Sequence, residues 1–218
     1  MTLNAKTLAL GAIAAVAVAA APAQAAVVTL FQQEFSAGLG ADEQLFGNFA
    51  VGGGRMGHVN GYHGNNEQSH YDLKLDLTGV TDALIAFDYN TNTEYGWDGW
   101  NLLGAIEGQA FNFTSPLIAS PNVHNRFVEK LLSPGVTGMA AGRATYDLTP
   151  FAGKVVNLRL RFASDHSITR TGTTFDNLVA TGTAKTVSAA PEPSTWAIMI
   201  TGFMSAGMML RRRRAVAI

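Results

Sequence analysis

Hydrophobic and polar residues alternate with a period of two along much of the middle of the chain. In YDLKLDL (71–77) the apolar positions are Tyr71, Leu73, Leu75 and Leu77. In VNLRLRF (156–162) the alternation is equally strict and puts Asn157, Arg159 and Arg161 on one face. A period of two belongs to a strand with one buried face. Further strands are expected at 84–89, 100–107, 126–131, 145–148, 155–163 and 174–180, with a turn at 79–82. Charge opposite an apolar face is the usual sheet pattern, so Arg159 and Arg161 are expected on a solvated face. The stretches 52–69 and 164–173 read as polar loops, and no internal repeat is evident. Helical periodicity is unconvincing outside the two ends. Roughly eight to ten short strands separated by Gly, Asn and Asp predict an all-β fold, an antiparallel β-sandwich or jelly roll.

The two ends break the pattern. The N-terminus carries Lys6, an apolar run over 8–21 and then Ala23-Gln24-Ala25. That is the layout of a secretory signal peptide, expected over 1–25 and implying export. At the other end an apolar run over 196–210 leads into Arg211, Arg212, Arg213 and Arg214. As a helix the run would be about 22 Å long, short of a hydrocarbon core of ~30 Å, and Thr201, Gly202, Ser205 and Gly207 weaken its apolar character. The arginines would hold its end in the cytoplasm. Pro191 and Pro193 keep the preceding segment extended. The expected organisation is a signal peptide (1–25), a β-sandwich (26–185), a linker (186–190) and a tail (191–218).

Composition narrows the chemistry. With no cysteine among 218 residues, neither a disulfide framework nor a thiolate metal site can form. The formal charge of −1 hides an asymmetry, because Lys6 and four of the 15 basic residues lie in the ends while only Glu192 of the 16 acidic ones does. The body is therefore acidic and lacks a basic stripe, which argues against nucleic acid as a partner.

Pro191-Glu192-Pro193, then Trp196-Ala197, Gly202-Phe203 and the four arginines, in that order, resemble the PEP-CTERM sorting signal of Gram-negative bacteria. The resemblance implies recognition by a membrane-embedded exosortase, transient engagement of the inner membrane, and removal of the tail near Pro191. It also implies an envelope or extracellular-matrix protein associated with exopolysaccharide or biofilm.

A second resemblance covers part of the body. DLTPFAGK (147–154), the strand ending FASD (162–165), Gly172 and FDNLV (175–179) are similar to the final strands of MAM-like jelly rolls. These include modules attached to immune-inhibitor-type peptidases and many carbohydrate-binding modules; EYGWDGWN (94–101) resembles their middle strand entry. The resemblance implies a sandwich and, in several such families, a structural Ca2+. Its expected ligands here are Glu34 on the first strand and Asp176 before the last, with Asp42 and Asp98 secondary. Hard cations of this kind take six to eight oxygens, which sandwich loops can supply.

Catalytic signatures are sparse: there is no Gly-x-Ser-x-Gly, no His-Glu-x-x-His and no glycine-rich phosphate loop ahead of a helix. His58, His63 and His70 with Glu67 could supply imidazoles to zinc, but their spacing fits no tight clip, so they are expected as surface side chains. The stretch DYNTNTEYGWDGW (88–100) mixes aromatic faces with amides and carboxylates, as sugar recognition requires. Asn92, Glu94, Tyr95 and Trp97 are the candidate ligand-binding residues, while Trp100 is expected in the core. The expected function is that of an exported, non-catalytic, glycan-associated module. A secreted hydrolase and a purely structural matrix protein are the alternatives.

Overall fold

The structure is a computed structural model that describes residues 25–186 and 193–215. The expected signal peptide through Gln24, most of the linker, and Pro191 and Glu192 of the tail motif lie outside the described residues. The described strands are β1 (Val27–Gln33), β2 (Glu43–Phe46), β3 (Ala50–Gly52), β4 (Arg55–Gly57), β5 (Gln68–Asp76), β6 (Val80–Asn92), β7 (Gly99–Ile106), β8 (Arg126–Val128), β9 (Ser133–Gly135), β10 (Met139–Asp147), β11 (Val155–Ala163) and β12 (Gly172–Ala184). All pair antiparallel.

One sheet runs β10-β6-β12, and the free side of β12 is shared by β1 and by β4, which carries β3. The other sheet runs β2-β5-β11-β7. The chain passes from one sheet to the other at almost every long connection, which gives the expected antiparallel sandwich. The two strictly alternating segments are neighbours. Leu158 faces Leu73 and Leu160 faces Tyr71, while outside the sheet Arg159 lies opposite Asp72. That pair is bidentate, with Nε to Oδ1 at 2.7 Å and Nη2 to Oδ2 at 2.6 Å.

The core is aromatic at its centre. Trp100 on β7 is fully buried, and its indole packs against Phe87, Tyr89 and Phe175 of the opposite sheet at 5.8, 5.1 and 5.0 Å between ring centroids. Its Nε1–H donates to Thr91 Oγ1 on β6 at 2.7 Å. Both a dispersion contact and a directed hydrogen bond therefore join the two sheets at this side chain.

Three expectations are corrected. The turn at 79–82 gives way to strand at Val80, whose apolar side chain is buried. The 126–131 strand stops at Val128, and the chain turns through 129–132 into β9 to make a two-stranded ribbon. That ribbon, with the 109–118 segment, covers the outer face of β7 and β11 at one end. Arg161 is consequently half-buried and donates to Asn101 Oδ1, Phe113 O, Leu131 O and Ser133 Oγ instead of facing water.

The C-terminal unit is a helix, α1 (Pro193–Ala215), which starts before the apolar run and continues through the arginines. Among the described residues no helix is long and apolar enough to cross a membrane. The run carries Thr201, Gly202, Ser205 and Gly207 and is followed by four arginines, which lowers its apolar character.

Candidate functional site

The connection from β6 to β7, residues 93–98, is short and heavily braced from within. Thr137, fully buried, donates its hydroxyl to Asp98 O at 2.6 Å, lies 3.0 Å from Glu94 O, and accepts from Gly96 N at 2.9 Å. Thr93 and Gly138 exchange N–H donors, to Gly138 O at 3.0 Å and to Thr93 Oγ1 at 2.9 Å. Gly96 has φ of +84°, a backbone conformation that calls for glycine. The outcome is a fixed turn with two different faces.

The outer face is aromatic. Tyr95 is 56% exposed and Trp97 49% exposed. With Gly96, Arg126, Phe127 and Glu129 they line a cleft of about 250 Å³. The Arg126 guanidinium lies 5.0 Å from the centroid of the Tyr95 ring, a cation–π placement. The cleft thus offers flat apolar surface, one cation and one carboxylate. Asn92 does not join it; its amide donates to Thr171 Oγ1 at 3.2 Å.

The inner face is acidic. Glu94 and Asp98, four apart on the turn, meet Asp165 from the β11–β12 connection, and one oxygen from each lies within 4.8 Å of the others. Asp98 is fully buried, and its Oδ1 accepts the Asp165 N–H at 2.8 Å. Burial pushes the Asp98 carboxyl above the ordinary carboxylate range, against the lowering effect of that N–H. Of the four residues expected to hold Ca2+, only Asp98 lies in this group. Glu34 is exposed and bonded to Gln32, and Asp42 is exposed. Asp176 sits at a bulge in β12 and accepts the N–H of Asn177, a residue with φ of +48°. β1 and β12 do pair, with Gln33 opposite Leu178, but Glu34, Asp42 and Asp176 form no cluster of three ligating groups among the described residues.

Beside the acidic face, the expected surface histidines are corrected. His58 and His63 are both buried. His58 Nδ1 accepts Thr173 N–H at 2.9 Å, so its ring proton is on Nε2, which donates to Glu67 Oε1 at 2.7 Å. His63 Nε2 accepts Arg170 N–H at 3.0 Å, and its Nδ1 donates to Gly64 O at 3.0 Å. With both ring nitrogens bonded, neither histidine has a lone pair free for zinc or a proton transfer. Ser69 donates to the Glu67 carboxylate, not to an imidazole, so this grouping is not a nucleophile–base pair. His70 alone is half-exposed, stacked on Phe46 at 4.4 Å. A polar concavity of about 650 Å³ opens nearby, lined by Arg55, Asn60, Asn90, Thr171 and Thr174.

No family model and no curated protein matches the chain. Among solved structures, the K2 cleaved adhesin domain of Lys-gingipain aligns with a TM-score of 0.37 at 13% identity, covering 72% of this chain and 99% of that domain.

Proposed function

We propose that this is an exported, non-catalytic β-sandwich module of the cell envelope or extracellular matrix that binds glycan through the Tyr95–Trp97 cleft. The observation that carries the reading is the exposure of two aromatic rings on a turn held rigid by buried threonines. The half of each ring that faces water adds nothing to folding, whereas a sugar ring can stack its C–H face on it. Arg126 and Glu129 supply donors and an acceptor for hydroxyls at the rim. Binding to exopolysaccharide fragments, followed by calorimetry and a glycan array, tests this. Trp97→Ala should weaken binding by about 2 kcal/mol, roughly thirtyfold, with the melting temperature unchanged. Wild-type affinity in Trp97→Ala and in Tyr95→Ala would place any glycan site elsewhere.

The tail belongs to the same proposal as a sorting signal. Its helix, too short in apolar length for a permanent span, engages the inner membrane transiently and presents the Pro191-Glu192-Pro193 segment to an exosortase. Intact-mass analysis of the mature protein is expected to show a species ending near Pro191. A mature chain still ending at Ile218 would mean that the tail is kept.

A further inference from the structure

We propose that Glu94, Asp98 and Asp165 bind a hard divalent cation of the calcium class at the loop end of the sandwich. The site is independent of the glycan reading, and its ligand set differs from the one expected at Glu34 and Asp176. Three carboxylates converge from two connections 67 positions apart in sequence, with one oxygen of each within 4.8 Å of the others. Oxygens on Ca2+ lie at about 2.3–2.6 Å, so two of them on opposite sides of one ion stand about 5 Å apart. The observed spacing fits one ion touching all three.

Proximity of acids alone would not point to a ligand. The decisive feature is an orphaned oxygen. Asp98 Oδ2 belongs to a side chain with no solvent exposure and has no hydrogen-bond partner. His63 Nε2 lies 3.5 Å from it. That nitrogen already accepts the Arg170 N–H, so it presents no proton to the carboxylate. Two acceptors therefore face one another in a dry interior, an arrangement that is costly unless something positive lies with them. Glu94 Oε2 is likewise buried and unpartnered. Among the described residues no lysine or arginine pairs with any of the three carboxylates; Asp165 Oδ1 accepts the Ser167 N–H at 2.8 Å, and its Oδ2 has a cationic neighbour only in the exposed His166, at 3.9 Å. A cation supplies the missing charge and satisfies both orphaned oxygens together. The donors are oxygens and the neighbouring imidazole nitrogens are occupied, which selects a hard ion over zinc.

The test uses the full chain, stripped with chelator and then titrated with CaCl2. One ion per chain is expected by calorimetry, with a rise in melting temperature of roughly 5–10 °C at a hundredfold excess over Kd. Asp98→Asn keeps the Oδ1 acceptor for Asp165 N–H and gives the orphaned position an amide that can donate to its surroundings. It is expected to fold, to melt at or above the chelated wild type, and to lose the calcium increment. Glu94→Gln, on the same turn, should cut the increment without altering the chelated melting temperature. No calcium-dependent shift in the stripped wild type would overturn the proposal. So would an undiminished shift in both variants, because the ion would then sit on other ligands.

Discussion

Replacing Trp100 with alanine is expected to destabilise the sandwich by about 3–5 kcal/mol, the range for truncating a large buried aromatic. For a domain of this size that corresponds to a fall in melting temperature of roughly 6–20 °C. The expectation rests on position as well as size. The indole stands on β7 of one sheet and touches Phe87 and Tyr89 on β6 and Phe175 on β12 of the other. Alanine would leave a cavity between two sheets whose backbones are fixed by their own ladders, so the walls can collapse into it only in part. It would also remove the donor to Thr91 Oγ1, although Thr91 keeps Thr173 Oγ1 at 3.1 Å. Trp100→Phe separates the two effects, since it fills most of the space and lacks the N–H; a loss of about 1–2 kcal/mol is expected. Urea unfolding with an unchanged m-value is the measurement. Trp97→Ala, three residues away, should leave the midpoint where it is. A Trp100→Ala midpoint within experimental error of wild type would show that the inter-sheet packing is not held at this point.

The contrast between these two tryptophans shows where sequence is informative. Strand alternation is a local property, so YDLKLDL and VNLRLRF announced two strands that turn out to be partners, with Leu73 facing Leu158. The turn was legible only in composition: the mixture of aromatics with amides and carboxylates picked out Tyr95 and Trp97, which the fold leaves about half exposed, and also Asn92 and Glu94, which the fold directs elsewhere. The buried histidines were not legible, because half of each ring's bonding comes from far along the chain. Glu67 and Gly64 are local partners, but the N–H groups that occupy the other ring nitrogens belong to Thr173 and Arg170, more than a hundred positions away. The one available signal was Gly172, whose φ of +74° and lack of Cβ make room for the His58 ring, and which in sequence is an ordinary loop glycine. Arg161 misled for the same reason. Strand alternation does point it outward, but the ribbon that covers it is folded from residues some thirty positions upstream. The acidic group combines both cases: Glu94 and Asp98 share a turn, while Asp165 reaches them only through the strand order.

The second large effect is expected at Glu67, and it depends on pH. Oε1 accepts from His58 Nε2 at 2.7 Å and from Ser69 Oγ at 2.5 Å; Oε2 accepts from Gly64 N at 2.6 Å and from Asn48 Nδ2 at 3.0 Å. The side chain is 3% exposed and gathers donors from both sides of β3 and β4 and from β5 itself. Burial alone would push it up, but the hydrogen bonds from His58, Ser69 and Gly64 outweigh burial and hold it at about 2, against an ordinary 4.5. A carboxyl depressed on folding contributes stability that is fully present above its unfolded value and is lost as pH falls through its folded value. The window here is therefore pH 4.5 down to about 2, and the contribution at neutral pH is roughly 3 kcal/mol. Glu67→Gln is not conservative at this position. Whichever way the amide is turned, its NH2 faces one donor that cannot become an acceptor, the His58 Nε2–H or the Gly64 N–H, so a loss of about 3–5 kcal/mol is expected at pH 7. Chemical unfolding of both proteins from pH 7 to pH 2 is the check. Wild type should lose stability steeply below pH 4.5, and the variant, already without this carboxylate, should follow a shallower course through the same interval. Parallel profiles would assign the acid sensitivity to other groups and reduce Glu67 to one buried side chain among many.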